Sequence, residues 1–186
     1  KLDRFGQPVT GNVDQTTHAG TEISFIYKPV RALEFFGNTT FSSNKINNGK
    51  YFISDLDWID LSGNKIGGFP EMLANAGIQF HSNNLYVKLS AKYVSSFYSD
   101  NFDSQIIKYL SKFPGFIDYN DNVNDSYFTA DFYCSYDFNF FGGINSSKLF
   151  LQVNNIFNNL YSAYAIGKEF FPAADRNFIA GIQLGL

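Results

Sequence analysis

The chain has 186 residues and a formal net charge of -3, with 17% charged and 19% aromatic residues. The acidic balance and the lack of any cluster of lysine and arginine exclude nucleic acid as a partner, because phosphates are neutralised by grouped cations. Cys134 is the single cysteine, so the chain has neither an intrachain disulfide nor a cysteine metal cluster. The excess of phenylalanine and tyrosine favours β-strands, where aromatic side chains fit a pleated, half-buried surface.

Seven segments alternate apolar and polar residues, which is the pattern of a β-strand with two different faces. In chain order they are 17–28, 33–42, 72–80, 85–93, 127–138, 148–154 and 177–186. The fourth is the most regular, with Leu85, Val87 and Leu89 opposite Tyr86 and Lys88. Their lengths are close to the 9 to 11 residues or so that a tilted strand needs to cross a bilayer.

The connections between these segments alternate in length. Residues 29–32, 81–84 and 139–147 are short and turn-like, whereas residues 43–69, 95–125 and 155–175 are long and polar. Outer-membrane barrels have short periplasmic turns and long extracellular loops. The pattern therefore predicts a transmembrane barrel segment with its C-terminus in the periplasm and three loops outside.

Alternation alone does not decide which face meets lipid, because a soluble up-and-down barrel has its apolar face inside. The apolar faces carry no charge and mix small with large residues, for example Ala19, Gly37, Ala91 and Ala130. Fluid acyl chains tolerate such a mixture, whereas a protein core is packed to crystal-like density. The mixture favours lipid on the apolar side.

The last predicted strand is apolar at every second residue up to the end of the chain, which suits a strand that closes a membrane barrel with one face on lipid and the other on the lumen. These residues are Phe178, Ala180, Ile182, Leu184 and Leu186.

Four short motifs resemble TonB-dependent outer-membrane receptors. The segment Val153-Asn-Asn-Ile-Phe157 is similar to a motif of their penultimate strand, and Phe170-Phe-Pro172 with Arg176 resembles the loop that follows. Thr17–Glu22 and Phe69–Gly77 look like two of their strand starts. The resemblance implies an all-β, antiparallel up-and-down transmembrane β-barrel segment, about seven C-terminal strands of a plugged barrel of about 22. Residues 1–186 would then be a single segment, without the plug domain and the earlier strands, and Leu186 departs from the usual terminal Phe or Trp.

The same resemblance implies a receptor for energised uptake of a scarce solute such as a siderophore, cobalamin or a glycan. The expected partners are outer-membrane lipid, the plug domain and remaining strands, the barrel assembly machinery and the inner-membrane energising complex. The expected location is the outer membrane of a Gram-negative bacterium. No catalytic motif is present, so we expect neither an enzyme nor a cofactor.

Two other classes of protein remain open at this stage. The first is a small complete outer-membrane barrel of about eight strands with a structural or adhesive role. The second is a soluble, aromatic-rich β-domain that binds carbohydrate.

The candidate ligand-binding residues lie in the first long loop, where Asp55, Asp57 and Asp60 flank Trp58. Carboxylates beside the single Trp could contact a ligand or divalent ions, although solvated loop acids are the plainer interpretation. Residues 118–125 begin like a calcium loop but lack its Gly and its final Glu, so they are predicted to be a hydrated surface loop. His18 and His81 have no second metal ligand at a suitable spacing. Lys88 and Lys92 are predicted to face the lumen, and Cys134 the lipid.

Overall fold

The computed structural model describes residues 15–54, 56–138 and 147–184. Seven strands in these ranges form one antiparallel sheet. They are β1 (Gln15–Val30), β2 (Leu33–Asn48), β5 (Met72–Ser82), β6 (Leu85–Val94), β9 (Tyr127–Phe138), β10 (Ser147–Asn154) and β13 (Asn177–Gln183). The smaller strands are β3 (Lys50–Phe52), β4 (Trp58–Asp60), β7 (Phe97–Tyr98), β8 (Val123–Asn124), β11 (Ser162–Ile166) and β12 (Glu169–Pro172). A 3-10 turn at Asp103–Gln105 leads into the helix α1 (Ile106–Lys112).

The seven long strands lie side by side in chain order, β1-β2-β5-β6-β9-β10-β13, which confirms the predicted up-and-down arrangement. β2 is longer than predicted, because the mostly polar segment 43–48 also pairs with β1. Side-chain bonds support this extension: the amide of Asn47 donates to the Thr17 hydroxyl at 2.7 Å. The predicted turn at 139–147 lies outside the described residues except for Ser147.

The strand register gives the sheet two distinct faces. One row across it runs Phe25, Gly37, Ala76, Ala91, Ala130, and the adjacent row on the other face runs Ser24, Asn38, Asn75, Lys92, Thr129. Side chains alternate between faces along a strand, so a register error of one residue would mix the two rows. The predicted apolar and polar faces are therefore each continuous over the sheet.

Hydrogen bonds link neighbouring strands across the polar face. Glu34 accepts from the Gln79 amide at 2.5 Å and pairs with Lys28 at 2.6 Å, and the Tyr86 hydroxyl donates to Gln79 at 2.9 Å. The Lys88 ammonium lies 5.2 Å from the centre of the Phe36 ring. Lys28, Glu34 and Lys88 are thus held by partners on other strands of the sheet.

Phenylalanine rings lie over glycines of the neighbouring strand at three positions in the sheet. The register pairs are Phe25 with Gly37, Phe36 with Gly77, and Phe150 with Gly181. A Cβ atom at Gly37 would lie 2.6 Å from the Phe25 ring, and one at Gly181 would lie 2.7 Å from the Phe150 ring. Glycine has no side chain to pack and therefore weakens a strand, and each ring fills the space that a side chain would occupy there.

The apolar face is not covered by another layer of the described chain. Ile23 is 59% exposed and Leu89 44% exposed. The main buried hydrophobic cluster lies instead among the long connections at one end of the sheet. No helix in the described ranges has the length and apolar character needed to span a membrane.

Candidate functional site

The three long connections fold together at one end of the sheet. We call them the cap: residues 49–71, 95–126 and 155–176, with Asp55 outside the described residues. The first two share a hydrophobic core with the end of β2, formed by Ile46, Ile59, Leu61, Phe102, Ile106 and Tyr109. The Phe102 ring lies at the centre of an aromatic group, edge-on to Tyr51 at 5.1 Å and to Phe116 at 5.5 Å. The cap is a packed structure rather than a set of separate loops.

Asn64 connects the first connection to the second through its buried amide. Its Nδ2 donates to the Asn101 carbonyl at 3.0 Å and to the Tyr109 hydroxyl at 3.2 Å. Its Oδ1 accepts from the Gln105 amide at 2.6 Å. The Tyr109 hydroxyl in turn donates to the Asp60 carbonyl at 3.2 Å. A fully buried Asn with partners on both ends of its amide holds the two connections in one arrangement.

The carboxylate of Asp100 organises the second connection. It accepts from the Asn122 amide at 2.7 Å, from the Phe102 backbone N–H at 2.8 Å and from the Tyr119 hydroxyl at 2.8 Å. Burial raises the pKa of Asp100 above its usual value despite these bonds, and the nearby Asp103 carboxyl adds to the effect. Burial and the Asp100 charge also raise the pKa of Tyr119, which stays a neutral donor.

Gly67 allows a close approach between the backbones of these two connections. Its N–H donates to the Asn101 side-chain oxygen at 2.9 Å, and a Cβ atom here would lie 2.7 Å from the carbonyl carbon of Asp100. Two residues earlier, the Lys65 N–H donates to the Asp103 carboxylate at 3.0 Å. Any side chain at Gly67 would force the two backbones apart.

The third connection is attached to the second by backbone and side-chain bonds. The Ser99 hydroxyl donates to the Gly167 carbonyl at 2.6 Å, and the Gly167 N–H donates back to the Ser99 carbonyl at 3.1 Å. The Asn124 amide donates to the Ser162 carbonyl at 3.0 Å. Lys168 and Asp118 form an exposed ion pair, which lowers the pKa of Asp118.

The Val153–Phe157 motif has a structural role at the end of β10. Asn155 has a φ of +53°, its N–H donates to the Asp131 carboxylate at 2.8 Å, and its amide donates to the Asn159 carbonyl at 2.9 Å. Arg176, which precedes β13, donates from its N–H to the Asn158 side chain at 2.9 Å. The motif thus turns the chain out of β10 and anchors the third connection beside β13.

Of the predicted ligand residues, Asp57, Trp58 and Asp60 lie on the hairpin formed by β3 and β4. Trp58 is 45% exposed, and the Lys50 ammonium lies 4.7 Å from the centre of its ring. Asp57 accepts from the Ser54 hydroxyl at 3.3 Å, and Asp60 accepts from the Ser62 N–H at 2.9 Å. The bonds from Ser62 lower the pKa of Asp60. The structure brings Trp58 next to a cation and leaves the acids on the surface; Asp55 falls outside the described ranges.

The prediction of a hydrated loop at residues 118–125 is wrong for two of its members. Asn122 and Asn124 are buried, because their amides bond to Asp100 and Ser162 and so hold the cap together. His18 bonds to Asn44 at 2.7 Å, and the described residues contain no cluster of three or more His, Cys, Asp or Glu side chains suited to a metal ion. Lys88 and Lys92 lie on the polar face and Cys134 lies on the apolar face, in the register predicted.

Sequence reasoning missed a cavity of about 370 Å³ in the cap. It lies between residues 121–126, which lead into β9, and residues 160–162, with Phe170 of β12 on a further side. These segments are about 40 residues apart in the chain and carry no shared motif, so only the fold brings them together.

The predicted closing strand forms, as β13, at one edge of the sheet. Phe178, Ala180 and Ile182 pair with Val153, Leu151 and Leu149 of β10 and lie on the apolar face. Leu184 follows the strand and is exposed, and Leu186 lies outside the described residues. β13 has β10 as its neighbour, so its other edge is open in the described chain.

A row of antiparallel strands in chain order, with one apolar and one polar face and loops folded at one end, defines a segment of a transmembrane β-barrel. The chain belongs to the TonB-dependent receptors: residues 2–156 match the family model "TonB dependent receptor-like, beta-barrel". This is a family of outer-membrane receptors and transporters rather than enzymes. No curated protein sequence matches the chain significantly.

Solved structures of such receptors have the same fold at low sequence identity. The siderophore receptor PiuA from Acinetobacter baumannii is 18% identical with a TM-score of 0.67, over 90% of this chain and 21% of its own. The ferric citrate transporter FecA is 15% identical with a TM-score of 0.68, over 91% of this chain and 24% of its own. The closed form of the ferric-catecholate import receptor Fiu from E. coli K12 is 19% identical with a TM-score of 0.63, over 90% of this chain and 20% of its own. This chain spans about a fifth to a quarter of their length.

Proposed function

We propose that this chain forms part of the wall and extracellular cap of a receptor that imports a scarce solute across the outer membrane of a Gram-negative bacterium. The solute would be a siderophore, cobalamin, a glycan or a compound of similar scarcity. The observation that carries the proposal is the packed cap at one end of a sheet with two continuous faces. A rigid set of loops over a polar wall is suited to capturing a ligand and passing it inwards.

The remaining parts of the receptor are proposed from the open edges of the sheet. In the described residues β1 and β13 lie at opposite edges and do not pair with each other. A bilayer does not tolerate unpaired strand edges, because their backbone groups would lack hydrogen-bond partners. We infer that further strands of the same receptor continue from both edges, around a plug domain that contacts an inner-membrane energising complex.

Trp58, Asp57 and Asp60, with Asp55, remain proposed contacts for a solute or for divalent ions at the cell surface. The exposed Trp58 ring on a hairpin supports this assignment. Replacing Trp58 with Ala should weaken capture of the solute by the full-length receptor. Unchanged binding would remove this hairpin from the site.

The proposed function is tested by uptake in cells. A strain that lacks the gene is complemented with the full-length receptor, and growth is compared on limiting ferric chelate, cobalamin or a single glycan. Growth on one of these should require both the receptor and the energising complex. Growth that persists without the energising complex would contradict an energised importer.

The assembly role of the closing strand has its own test. A full-length receptor truncated at Asn177 lacks Phe178, Ala180, Ile182, Leu184 and Leu186 and should fail to insert into the outer membrane. Membrane fractionation with probing for the receptor measures the outcome. Normal insertion of the truncated receptor would show that the barrel assembly machinery does not need this strand.

A further inference from the structure

The cavity in the cap is lined by groups that accept hydrogen bonds. Asp121 and Asp125 contribute two carboxylates, and one oxygen of Asp121 already accepts from the Val123 N–H at 3.1 Å. Ser126 and Ser162 contribute hydroxyls, of which that of Ser162 donates to the Tyr164 carbonyl at 2.8 Å. Among the described residues that line the cavity there is no lysine, arginine or histidine. Ionised carboxylates are acceptors only, so the lining favours ligands rich in O–H or N–H donors and repels anions.

A buried amide at the cavity wall has an acceptor that no described residue uses. Asn124 is 1% exposed, and its Nδ2 is committed to the Ser162 carbonyl. Its Oδ1 accepts no hydrogen bond from the described residues. A buried acceptor without a donor is costly, so each such group in a folded protein calls for a partner. The oxygen lies just behind the cavity wall, so a ligand hydroxyl would supply that partner only after a local shift of the side chains that cover it.

The remaining walls are flat and apolar. Phe170 is 39% exposed, and the Tyr161 ring is stacked on Tyr127 with 4.3 Å between centroids and 24° between planes. The stacking fixes the orientation of Tyr161 before any ligand arrives. Rigid aromatic surfaces with nearby polar acceptors suit a ligand that has both C–H faces and hydroxyl edges.

The size of the cavity sets a bound on that ligand. A volume of about 370 Å³ lies near the lower end of the roughly 300 to 1,000 Å³ found for small-molecule sites. One or two sugar rings fit this range, whereas a bulky ligand would extend beyond the cavity.

We propose that this cavity is a carbohydrate subsite, in which a neutral sugar lies against Phe170 and Tyr161 and donates hydroxyl hydrogen bonds to Asp121 and Asp125. The assignment rests on the proposed import function and narrows its solute class to neutral oligosaccharides. Anionic iron chelates are disfavoured here, because two carboxylates face the cavity without a compensating cation.

The test uses the full-length receptor, purified in detergent, and isothermal titration calorimetry. The probes are neutral trisaccharides of gluco, galacto and manno configuration, spermidine as a cation and a ferric tricatecholate as an anion. We expect at least one trisaccharide to bind. Asp121→Asn and Asp125→Asn should each weaken that binding about tenfold, since an amide oxygen accepts a hydrogen bond more weakly than a charged carboxylate does. Phe170→Ala should weaken it about fivefold.

Asp118→Asn is the matched control, because Asp118 lies in the same segment but does not line the cavity. It should leave trisaccharide binding unchanged. The proposal is overturned if no trisaccharide binds, or if the cavity variants bind as tightly as the parent. It is equally overturned if the cavity variants weaken the binding of spermidine or of the ferric chelate instead of the binding of a trisaccharide.

Uptake in cells separates this proposal from the function on which it rests. Energised import of a ferric chelate that is insensitive to Asp121→Asn would retain the importer and reject the sugar subsite. Trisaccharide binding that the cavity variants weaken, with no energised uptake of any solute, would retain the subsite and reject the importer.

Discussion

Replacing Asn64 with Ala should loosen the cap without affecting the sheet. The change removes the donor to the Asn101 carbonyl and to the Tyr109 hydroxyl, and the acceptor for the Gln105 amide. Each buried hydrogen bond contributes about 1 kcal/mol, and a buried group left without a partner costs about 1 to 3 kcal/mol. Since Gln105 is only half-buried and can turn towards water, we take the loss of cap stability as about 3 kcal/mol.

Hydrogen exchange, followed by mass spectrometry on the full-length receptor, measures this loss of cap stability directly. A decrease of about 3 kcal/mol in the free energy of local opening speeds exchange roughly hundredfold in the affected amides. The acceleration should appear in peptides that cover residues 56–68 and 99–112, and not in β5 or β6. The two segments should respond together, because one amide joins them.

Asn47→Ala is the matched control for this change. Asn47 lies nearby in the chain, but its side chain is exposed and bonds only to Thr17 in the described structure. It should alter exchange in the cap by less than about threefold, as expected for a surface site. Equal effects of the two variants, or an Asn64→Ala effect spread over the whole sheet, would refute the claim that Asn64 holds the cap together.

Three further predictions concern the sheet, the β10 turn and pH. Gly77→Val should lower the free energy of unfolding of the receptor by about 1 to 3 kcal/mol, because a side chain there overlaps the Phe36 ring. Ala76→Val, on the exposed opposite face, should have little effect. Urea unfolding in lipid vesicles measures the stability of both variants. In the same assay, Asn155→Ala should destabilise the receptor by about 1 kcal/mol more than Asn155→Gly does. Both variants lose the side-chain hydrogen bonds of Asn155, but only Ala is strained at a φ of +53°. Burial raises the pKa of Asp100, so between the usual and the raised pKa the folded cap binds a proton that the unfolded chain has lost. Cap stability should therefore fall as the pH rises through the range between these two pKa values, and recover as the pH falls. Asp100→Asn should flatten that dependence, measured as the rate of proteolysis of the cap between about pH 4 and 7; an unchanged slope would mean that another group titrates.

The strands could be predicted from the sequence because their signal is local. In β6, the alternation of Leu85, Val87 and Leu89 with Tyr86 and Lys88 has the period of 2 that a sheet imposes, and the structure keeps that register. The extension of β2 was missed because residues 43–48 are polar except for Ile46, and their pairing depends on partners in β1 such as Thr17.

The cap could not be predicted because its contacts join residues that are far apart in the chain. Asn64 bonds to Asn101, and Ser99 bonds to Gly167, at separations of 37 and 68 residues. Polar residues such as Asn64, Asn122 and Asn124 look like solvated loop residues when only their neighbours are known. Their burial follows from the packing of three connections that the sheet brings to one end.

The candidate site shows the same limit. Trp58 and its neighbouring acids were noticed because they are adjacent in sequence, and the structure leaves them on a surface hairpin. The cavity residues Asp121, Tyr161 and Phe170 come from two separate connections and share no motif. The Val153–Phe157 motif was recognised by resemblance, but the positive φ of Asn155 and its bonds explain why it stands there.

The central claim is that the apolar face of the sheet meets lipid and the polar face meets the lumen. Single cysteines placed at residues 87 to 92 of β6, in a full-length receptor carrying Cys134→Ser, can be labelled with bimane and reconstituted into vesicles of brominated lipid. We predict strong quenching at Val87, Leu89 and Ala91 and weak quenching at Lys88, Ser90 and Lys92. Uniformly weak quenching along β6, or strong quenching at the lysine positions, would contradict a lipid-facing barrel wall.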